Sequence, residues 1–458
     1  MQNYYFMSTL SITPRPAAPQ RSPQYSTFPA WIKLLNLLVL LSSLNACSSF
    51  KLFDDDLVTP QITEPAEIST IESHEFKLSE DSSVLGKLAT VPIREGDTLS
   101  DLARHYGLGL QHLSEANPAL EPWTPPPGVQ AVLPTHFILP DAPRKGIVIN
   151  LASMRLFYFA HPDKLITYPV GIGKEGRSTP TGLMKIERKT QHPVWYVPES
   201  IRNDHARKGD PLPASVPAGP DNPLGDYAFY LSEPSYLIHG TNKPYSIGLR
   251  ASNGCIRLYP ENIDDLFKRV PEKTPVKIVN QPYLFGTLDG LPYVEAHAPY
   301  EELNDKQTKK NFVQKLKQWE KKQHQALDWP KIETTLQQAR GIPVPILENS
   351  PTVAEMISQA VNLSHPERLY LQPESDALPS SKNWYVLAEK DLGPLEAQRL
   401  AAMLNHQGPR IPALSVQQDG SYQVLAGPYS DAKSAKASMK RMKIDLELAG
   451  KIIPPAEH

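Results

Sequence analysis

One stretch of the chain, from Tyr236 to Leu258, limits the possible folds more than any other, because it holds a histidine and one of only two cysteines. His239 follows a short apolar run, and Cys255 follows the turn-forming residues Ser252-Asn-Gly. A histidine and a cysteine this close in sequence can meet only if the chain doubles back. Two strands joined by a loop rich in Gly, Asn, Pro and Ser would achieve this. The stretch therefore predicts two strands that bring both side chains together.

A neighbouring imidazole can take the proton of a thiol near neutral pH, which makes the sulfur a nucleophile. We therefore predict acyl transfer with Cys255 as the nucleophile and His239 as the general base. Backbone N–H groups of Asn253, Gly254 and Cys255 could stabilise the developing oxyanion. The alternative is a buried structural cysteine and a structural histidine, but a structural cysteine does not need a glycine beside it.

The residues around this pair resemble those of a known family. His239-Gly-Thr, followed by Ser252-x-Gly-Cys255-Ile-Arg257, is similar to the signature of the L,D-transpeptidases with a YkuD-type catalytic domain. The resemblance extends upstream to Val170-Gly-Ile-Gly173, Ser178-Thr-Pro-Thr-Gly182 and the proline-containing stretches 201–213 and 217–225. Asn253 departs from the pattern, because members often have a second histidine there, while His239 matches the usual base.

The resemblance implies a mainly-β, sandwich-like catalytic domain over residues 144–280 that acts on bacterial peptidoglycan. Cys255 would attack the bond between the diamino acid and the D-alanine of a stem tetrapeptide, giving a thioester acyl-enzyme. The acceptor stays open between the lysine of a small outer-membrane lipoprotein, the diamino acid of another stem, and water. The alternative from a different class is a non-catalytic, wall-binding scaffold. Carbapenems should acylate Cys255 if the resemblance holds.

Further residues near the pair are assigned to orientation or to substrate binding. Ser252, Gly240 and Thr241 are candidates for orienting the imidazole or the oxyanion. Arg257 is placed to pair with a carboxylate of the diamino acid, since guanidinium binds carboxylates in a bidentate manner, and a structural ion pair is the alternative. Tyr236 is the second candidate for substrate contact. No cofactor or metal is implied, because the His and Cys residues lack the spacing of zinc ligands.

Length and composition limit the domain count and the class of partner. A chain of 458 residues is too long for one core, which predicts about three domains. Its 47 prolines predict many fixed turns and linkers. A formal net charge of −2 argues against binding to nucleic acid, since nucleic-acid-binding domains are normally basic.

Residues 1–46 are predicted to be a signal peptide of the lipoprotein type. The apolar run at 31–44 fits the h-region of a signal peptide and is short for a membrane span. Leu44-Asn-Ala-Cys47 resembles a bacterial lipobox, which implies that Cys47 carries a lipid anchor, on the periplasmic side of the outer membrane in a Gram-negative envelope. The alternatives are an ordinary signal peptide cut nearby and a tail-free membrane anchor. Residues 47–88 are predicted to be a tether, and lipidation would leave Cys255 as the only thiol in an oxidising compartment.

Two flanking segments are predicted to be wall-binding modules. Within residues 89–140 the periodicity predicts the order βααβ, and Arg94-Glu-Gly-Asp-Thr-Leu with Asn117-Pro resembles a LysM domain. Within residues 383–453 the order is βαβα, and Val424-Leu-Ala-Gly-Pro-Tyr-Ser-Asp-Ala resembles a SPOR domain, which is a ferredoxin-like module. These resemblances imply binding to the glycan strands of peptidoglycan and, for SPOR, enrichment at division sites.

The remaining segments connect these domains. Asp289-Gly290 predicts a hairpin over residues 281–300, and residues 301–380 are predicted to form a helix and then a linker from residue 329. The loop at 199–226 is long for a simple connection, which favours a lid or a substrate-binding flap. The predicted fold class is therefore multidomain α+β, with a mainly-β catalytic domain between a LysM-like and a SPOR-like module.

Overall fold

The computed structural model describes residues 74–79, 82–207, 209–300, 306–366, 382–406, 411–418, 420–446 and 448–456. The predicted signal peptide, Cys47 and the first part of the predicted tether lie outside these residues. Across the described ranges, we find no helix with the length and apolar character needed to cross a membrane.

The first described segment contains a small module in the order βααβ, with further short strands around it. Its elements are β1 Glu75–Lys77, β2 Val84–Gly86, β3 Ala89–Pro92, α1 Leu99–His105, α2 Leu110–Ala116, β4 Gln130–Leu133 and β5 His136–Ile138. β3 and β4 pair antiparallel, and the helices pack on them through Leu99, Leu102 and Leu113. α1 begins after Thr98, whose side chain accepts a hydrogen bond from the N–H of Asp101.

The tether prediction was wrong for the described residues before 88. β1 pairs antiparallel with a strand of the catalytic sheet, and β2 pairs antiparallel with β5. Phe76, Leu78, Val84 and Leu85 are buried, so this segment is part of the folded core. Strands of three residues show too few alternations for their period to stand out in the sequence.

The catalytic region is built on a nine-stranded sheet. Its elements are β6 Gly146–Asn150, β7 Arg155–His161, β8 Lys164–Pro169, β9 Ile172–Gly173, β10 Gly182–Gln191, β11 Trp195–Tyr196, α3 Glu199–Arg207, β12 Ser215–Val216, β13 Tyr227–Leu231, β14 Leu237–His239, a 3₁₀ turn Pro244–Ser246, β15 Arg250–Ser252, β16 Ile256–Arg257, α4 Pro260–Arg269 and β17 Pro275–Val279. The strand order is β1-β8-β7-β6-β17-β10-β13-β14-β16, while β9 pairs with β15 and β11 with β12. α4 packs on the sheet through Ile263 and Leu266. The mainly-β prediction for this domain is confirmed.

A hairpin follows the catalytic sheet, as its turn sequence predicts. Its strands are β18 Tyr283–Leu288 and β19 Leu291–Ala296. Asp289 and Gly290 have φ values of 50° and 79°, which is the backbone of a type I′ turn. A third strand, β20 Val344–Pro345, pairs with β19.

The linker prediction was wrong from residue 329 to residue 366, which is folded. After α5 Lys306–Gln323 come α6 Trp329–Gln338, β20, α7 Val353–Ser358 and β21 Val361–Asn362. Ile332, Leu336 and Ile346 are buried against the hairpin, and β21 adds a parallel strand beside β3. The stretch carries Pro343 and Pro345, which read as linker residues in isolation but are accommodated at a strand edge.

The C-terminal domain has the order βαββαβ. Its elements are β22 Trp384–Leu392, α8 Pro394–His406, β23 Ala413–Gln418, β24 Ser421–Tyr429, α9 Ala432–Leu446 and β25 Lys451–Ile453. The sheet order β23-β24-β22-β25 is antiparallel throughout, which is the ferredoxin-like arrangement. The sequence prediction of βαβα missed β23 and β25. β23, with the sequence ALSVQQ, is an edge strand that buries only Ala413, so it lacks a strong alternating apolar signal.

Candidate active site

The candidate base lies on β14, at one edge of the catalytic sheet, and the candidate nucleophile lies directly before the edge strand β16. β14 and β16 run parallel, with Ile238 opposite Ile256 and His239 opposite Arg257. Both isoleucines point into the core, so alternation directs His239 and Arg257 to the other face. Cys255 immediately precedes β16 and belongs to that same face. His239 and Cys255 are therefore diagonal neighbours on one face.

The connection between these strands differs from the expected strand pair joined by a single loop. Parallel strands cannot be joined by a tight turn and need a crossover. Here the chain from 240 to 254 passes through the 3₁₀ turn and through β15, which pairs with β9. The loop between base and nucleophile is thus held by contacts of its own.

His239 is buried, and its ring is oriented by the protein backbone. Its Nδ1 lies 2.6 Å from the carbonyl oxygen of Gly240. Because a carbonyl oxygen only accepts, this contact assigns the proton to Nδ1 and leaves Nε2 as the basic nitrogen. Burial and then the charge of Arg257 lower the pKa of His239 to about 3, although hydrogen bonds to the backbones of Gly240 and Leu224 oppose this shift.

Cys255 is half-buried, and its surroundings favour the protonated thiol. Burial raises the pKa of the thiol, while a hydrogen bond to the backbone of Leu237 and the charge of Arg257 act in the opposite direction. The sulfur lies 3.6 Å from the carbonyl oxygen of Ser235, to which the S–H donates. These two shifts favour a neutral thiol and a neutral imidazole near pH 7, whereas the sequence analysis expects the imidazole to take the proton of the thiol.

Ser252 orients the turn that carries the nucleophile. Its hydroxyl donates to the carbonyl oxygen of Cys255 at 2.6 Å and accepts from the N–H of Gly254 at 3.1 Å. The hydrogen bonds of Ser252 thus lie within the turn and not on the imidazole. The N–H of Gly254 is already used, which removes one of the three backbone donors predicted for the oxyanion.

Gly254 is required in this turn for two separate reasons. Its φ of +111° is a conformation that residues with a side chain rarely adopt. A Cβ there would also lie 2.9 Å from Cε1 of Tyr236. Tyr236 is half-buried and forms a wall of the turn, whereas Asn253 is exposed.

Gly240 and Thr241 complete the surroundings of the imidazole. The carbonyl of Gly240 orients the ring, and a Cβ on this glycine would meet Ile263 Cγ2 at 3.0 Å. The hydroxyl of Thr241 accepts from the N–H of Lys243 at 2.9 Å. That bond stabilises the start of the following loop, so the orienting role falls to the Gly240 backbone.

Sequence reasoning missed Thr179, which positions the nucleophile turn. Its hydroxyl donates to the carbonyl oxygen of Gly254 at 2.8 Å and accepts from the N–H of Gly173 at 3.0 Å. Thr179 is buried and connects the turn to β9. Thr179 lies within the stretch Ser178 to Gly182, which resembles the family's sequence. That resemblance was the signal that could have indicated a role for Thr179.

Arg257 is half-buried beside the pair, and no aspartate or glutamate in the described part of the chain forms an ion pair with it. Its Nε is buried without a hydrogen-bond partner. Burial lowers the pKa of the guanidinium. The structural ion pair considered as an alternative role is therefore not formed with a residue of the described ranges.

The similarity of this chain to known proteins covers the site and the C-terminal domain. Residues 144–278 match the family model of the L,D-transpeptidase catalytic domain, and residues 393–453 match that of the SPOR domain. The chain is 44% identical over 225 residues to the probable L,D-transpeptidase ErfK/SrfK of Escherichia coli (strain K12), covering 48% of this chain and 72% of that protein. This chain belongs to the L,D-transpeptidase family.

Two further relatives of this L,D-transpeptidase come from the same organism. The chain is 41% identical over 237 residues to the probable L,D-transpeptidase YbiS, covering 50% of this chain and 77% of that protein. It is 41% identical over 217 residues to the probable L,D-transpeptidase YcfS, covering 46% of this chain and 68% of that protein. The predictions of an L,D-transpeptidase and of a SPOR domain are thus confirmed.

In this L,D-transpeptidase the described residues of the predicted flap, 199–207 and 209–226, begin with α3 and include β12, which pairs with β11. Arg177 donates to Ser200 at 3.2 Å and to Asp204 at 3.1 Å, both on α3. The backbone oxygen of Arg177 is also near Gly254, 3.6 Å from where a Cβ would stand. One residue therefore contacts both the flap and the turn.

Proposed function

We propose that this L,D-transpeptidase uses Cys255 to attack the bond between the diamino acid and the D-alanine of a peptidoglycan stem tetrapeptide. The single observation that carries the proposal is that β14, which holds His239, pairs with β16, which begins directly after Cys255. The sulfur bonds to the carbonyl carbon and the C–N bond breaks. D-Alanine leaves with the proton that His239 took from the thiol. An amine then attacks the thioester, and the thiol regains a proton.

The proton moves during the attack in this scheme and not before it. The pKa of His239 is about 3 and that of Cys255 is raised, so the resting pair is neutral. Nε2 of the imidazole is the nitrogen available to accept the proton, since Nδ1 donates to Gly240. The base therefore acts together with nucleophilic attack.

The oxyanion is stabilised in this proposal by the backbone N–H groups of Cys255 and Asn253. The N–H of Gly254 is left out, because it already donates to Ser252. Removing one such donor typically costs about a hundredfold in rate or more. Gly254 contributes through its conformation instead.

Arg257 is proposed to bind a carboxylate of the diamino acid. Arg257 forms no ion pair with an acidic residue of the described ranges, and a substrate carboxylate would supply a counter-charge for its partly buried guanidinium. The bidentate geometry of guanidinium also suits this group. Tyr236, which packs on the nucleophile turn, is proposed to line the same substrate site.

The acceptor of the acyl group is the amine that attacks the thioester of the acyl-enzyme. We propose the lysine of a small outer-membrane lipoprotein or the diamino acid of a second stem. Hydrolysis by water would give an L,D-carboxypeptidase from the same residues.

Binding to the cell wall is assigned to the two flanking modules. The residues 89–140 would hold glycan strands as a LysM-like module, and the SPOR domain would hold glycan strands near division sites. Cys47 is proposed to carry a lipid that anchors the protein in the outer membrane, facing the periplasm. Labelled palmitate tests the anchor, because a Cys47→Ala variant that still takes up the label would contradict it.

The deciding experiment incubates the purified protein with a disaccharide-tetrapeptide and identifies the products by mass. A cross-linked dimer supports transfer between stems, whereas D-alanine with a disaccharide-tripeptide identifies a carboxypeptidase. A peptide ending in lysine is added as the third acceptor. Cys255→Ala is the control variant and is expected to form none of these products.

Intact-mass measurement with a carbapenem separates an enzyme from a scaffold. An adduct of one carbapenem on the wild type, and none on Cys255→Ala, is the expected result. No adduct on the folded wild type would overturn the proposed nucleophile.

A further inference from the structure

The βααβ module, residues 89–133, lies directly against the loop that joins His239 to Cys255. The contact is made by two glycines, Gly109 of the module and Gly248 of the loop. A Cβ on Gly109 would lie 2.7 Å from the Cα of Gly248, and a Cβ on Gly248 would lie 2.4 Å from the Cα of Gly109. Only glycine permits so close an approach of two backbones.

Hydrogen bonds at the start of α2 fix the same loop. The N–H of Leu110 donates to the carbonyl oxygen of Ile247 at 3.4 Å, and that of Gln111 donates to the carbonyl oxygen of Gly248 at 3.2 Å. The first N–H groups of a helix have no partner inside the helix. Two of these N–H groups donate to carbonyl oxygens of the loop between His239 and Cys255. The module and the loop therefore satisfy each other's backbone polar groups.

Side chains around the glycine contact hold the module and the catalytic domain together. Arg104 forms two hydrogen bonds of 2.9 Å with Glu261, at the beginning of α4. The hydroxyl of Tyr259 donates to the carbonyl oxygen of Leu108 at 3.3 Å. Leu249 packs against the apolar core of the module. These contacts define one orientation of the module on the loop.

The loop leads from this contact to the nucleophile within a few residues. The N–H of Gly248 donates to Val170 at 3.1 Å, and the N–H of Ile172 donates to Leu249 at 3.0 Å. β15 then pairs with β9, and Ser252 at its end holds the turn of Cys255. A shift at Gly248 would therefore be passed along β15 to the turn.

We propose that the βααβ module is a positioning part of the active site, in which Gly109 and Gly248 set the path of the chain between base and nucleophile. This role rests on the proposed function of Cys255 and His239. It is separate from the glycan binding proposed for the module, because it requires no glycan. It assigns Gly109 and Gly248 as positioning residues.

The test compares Gly109→Ala and Gly248→Ala in the full chain with Gly128→Ala. Gly128 has a φ of +83°, close to the +77° of Gly248, but no atom lies within 4 Å of its Cβ position. Backbone strain is therefore alike in Gly128→Ala and Gly248→Ala, and only the latter pushes on the module. The readouts are kcat and KM for the tetrapeptide, the rate of alkylation of Cys255 by iodoacetamide, and Tm.

Both contact variants are expected to lower kcat by roughly tenfold or more at temperatures where they are folded, since misplacement by about 1 Å can cost about a hundredfold. KM should change less, and the alkylation rate should differ from that of the wild type. Gly128→Ala should match the wild type in kcat, KM and alkylation rate, and should share only the loss of Tm that backbone strain causes. If the folded Gly109→Ala variant keeps wild-type kcat and alkylation, the positioning role is overturned.

A second pair of variants covers the case in which the alanine variants do not fold. Arg104→Glu places two acidic groups together at the interface and should lower kcat. The reversed pair, Arg104→Glu with Glu261→Arg, should restore it. If the reversed pair recovers Tm but not kcat, the proposal is overturned.

Alkylation of Cys255 does not require turnover. A wild type without transferase activity would contradict the proposed function, but the effect of the module on Cys255 could still be measured by alkylation.

Discussion

The hydroxyl of Thr179 donates a hydrogen bond of 2.8 Å to the carbonyl oxygen of Gly254, the residue before the nucleophile. The same hydroxyl accepts from the N–H of Gly173 on β9. One buried side chain thus joins the nucleophile turn to the strand that pairs with β15.

Thr179→Val keeps the shape of the side chain but removes the hydroxyl. It leaves two buried backbone groups without a partner, which costs about 1–3 kcal/mol for each unsatisfied group. We expect a lower Tm and slower acylation of Cys255 by a carbapenem. The measurements are thermal unfolding and intact-mass kinetics. Thr181→Val is the control, because Thr181 belongs to the same stretch but is exposed. Equal acylation rates in both variants would contradict the positioning role of Thr179.

Gly254→Ala is expected to abolish or strongly reduce acylation of Cys255. Alanine at a φ of +111° is strained, and its Cβ would lie 2.9 Å from the Tyr236 ring. Carbapenem acylation measured by mass tests this at a temperature below the Tm. Gly176→Ala is the control on the neighbouring loop, since Gly176 has a φ of +71° and no atom near its Cβ position. Acylation at the wild-type rate in Gly254→Ala would contradict the requirement for glycine.

The candidate pair His239 and Cys255 was predicted from residue types and their spacing. The structure places His239 on β14 and Cys255 directly before the neighbouring strand β16, while their catalytic roles stay a prediction. The hydrogen-bond partners were not predictable, because backbone carbonyls carry no sequence signal. Gly240 orients the imidazole through such a carbonyl, whereas Ser252 and Thr241 use their hydroxyls elsewhere.

The fold was predictable where periodic strands are long and was missed where elements are short or polar. The long strands of the catalytic sheet and the Asp289-Gly290 hairpin follow the sequence. β1 and β21 do not, since they have three and two residues. Such strands form because a neighbouring edge accepts them: β1 pairs with β8, and β21 pairs with β3. This tertiary information is absent from the local sequence.

Arg257→Gln is expected to raise the pKa of both His239 and Cys255. The charge of Arg257 contributes to lowering each of these pKa values, although burial is the larger influence on both. Titration of the imidazole by NMR and the pH dependence of iodoacetamide alkylation measure the two changes. Lys309→Gln is the control, because Lys309 lies on α5 and pairs with Glu333 of α6, outside the catalytic sheet. A fall in either pKa would contradict the assigned electrostatics.

The pH profile of carbapenem acylation should lack an acidic limb near the ordinary histidine pKa of about 6.5. The pKa of His239 is about 3, so its imidazole is already neutral in weak acid. The raised pKa of the Cys255 thiol should instead make the alkylation rate of the free enzyme increase in alkaline solution. Stopped-flow or mass-resolved kinetics across this range provide the measurement. A thiol that titrates below its ordinary range would contradict the neutral resting pair.

His297 is expected to stabilise the fold in a pH-dependent way. It is buried between Glu295, at 2.7 Å, and Glu115 of the βααβ module, at 3.4 Å, and the ring of His112 is next to it. The two carboxylates raise the pKa of His297 to about 9, although burial acts in the opposite direction. A pKa raised by folding means that the native state binds the proton more tightly. Stabilisation of roughly 3 kcal/mol is therefore complete below about pH 6.5 and is lost as pH rises towards about 9.

The test measures the free energy of unfolding in urea for the wild type and His297→Gln, in weak acid and in mild alkali. The difference between them should be large in acid and shrink in alkali. His136→Gln is the matched control, because His136 is also buried, on β5, but burial lowers its pKa to about 4. There the unfolded state binds the proton more tightly, so the wild type loses stability as pH falls below about 6.5. The two histidines must therefore give slopes of opposite sign. Equal slopes would contradict the charge assigned to His297 between the hairpin and the module.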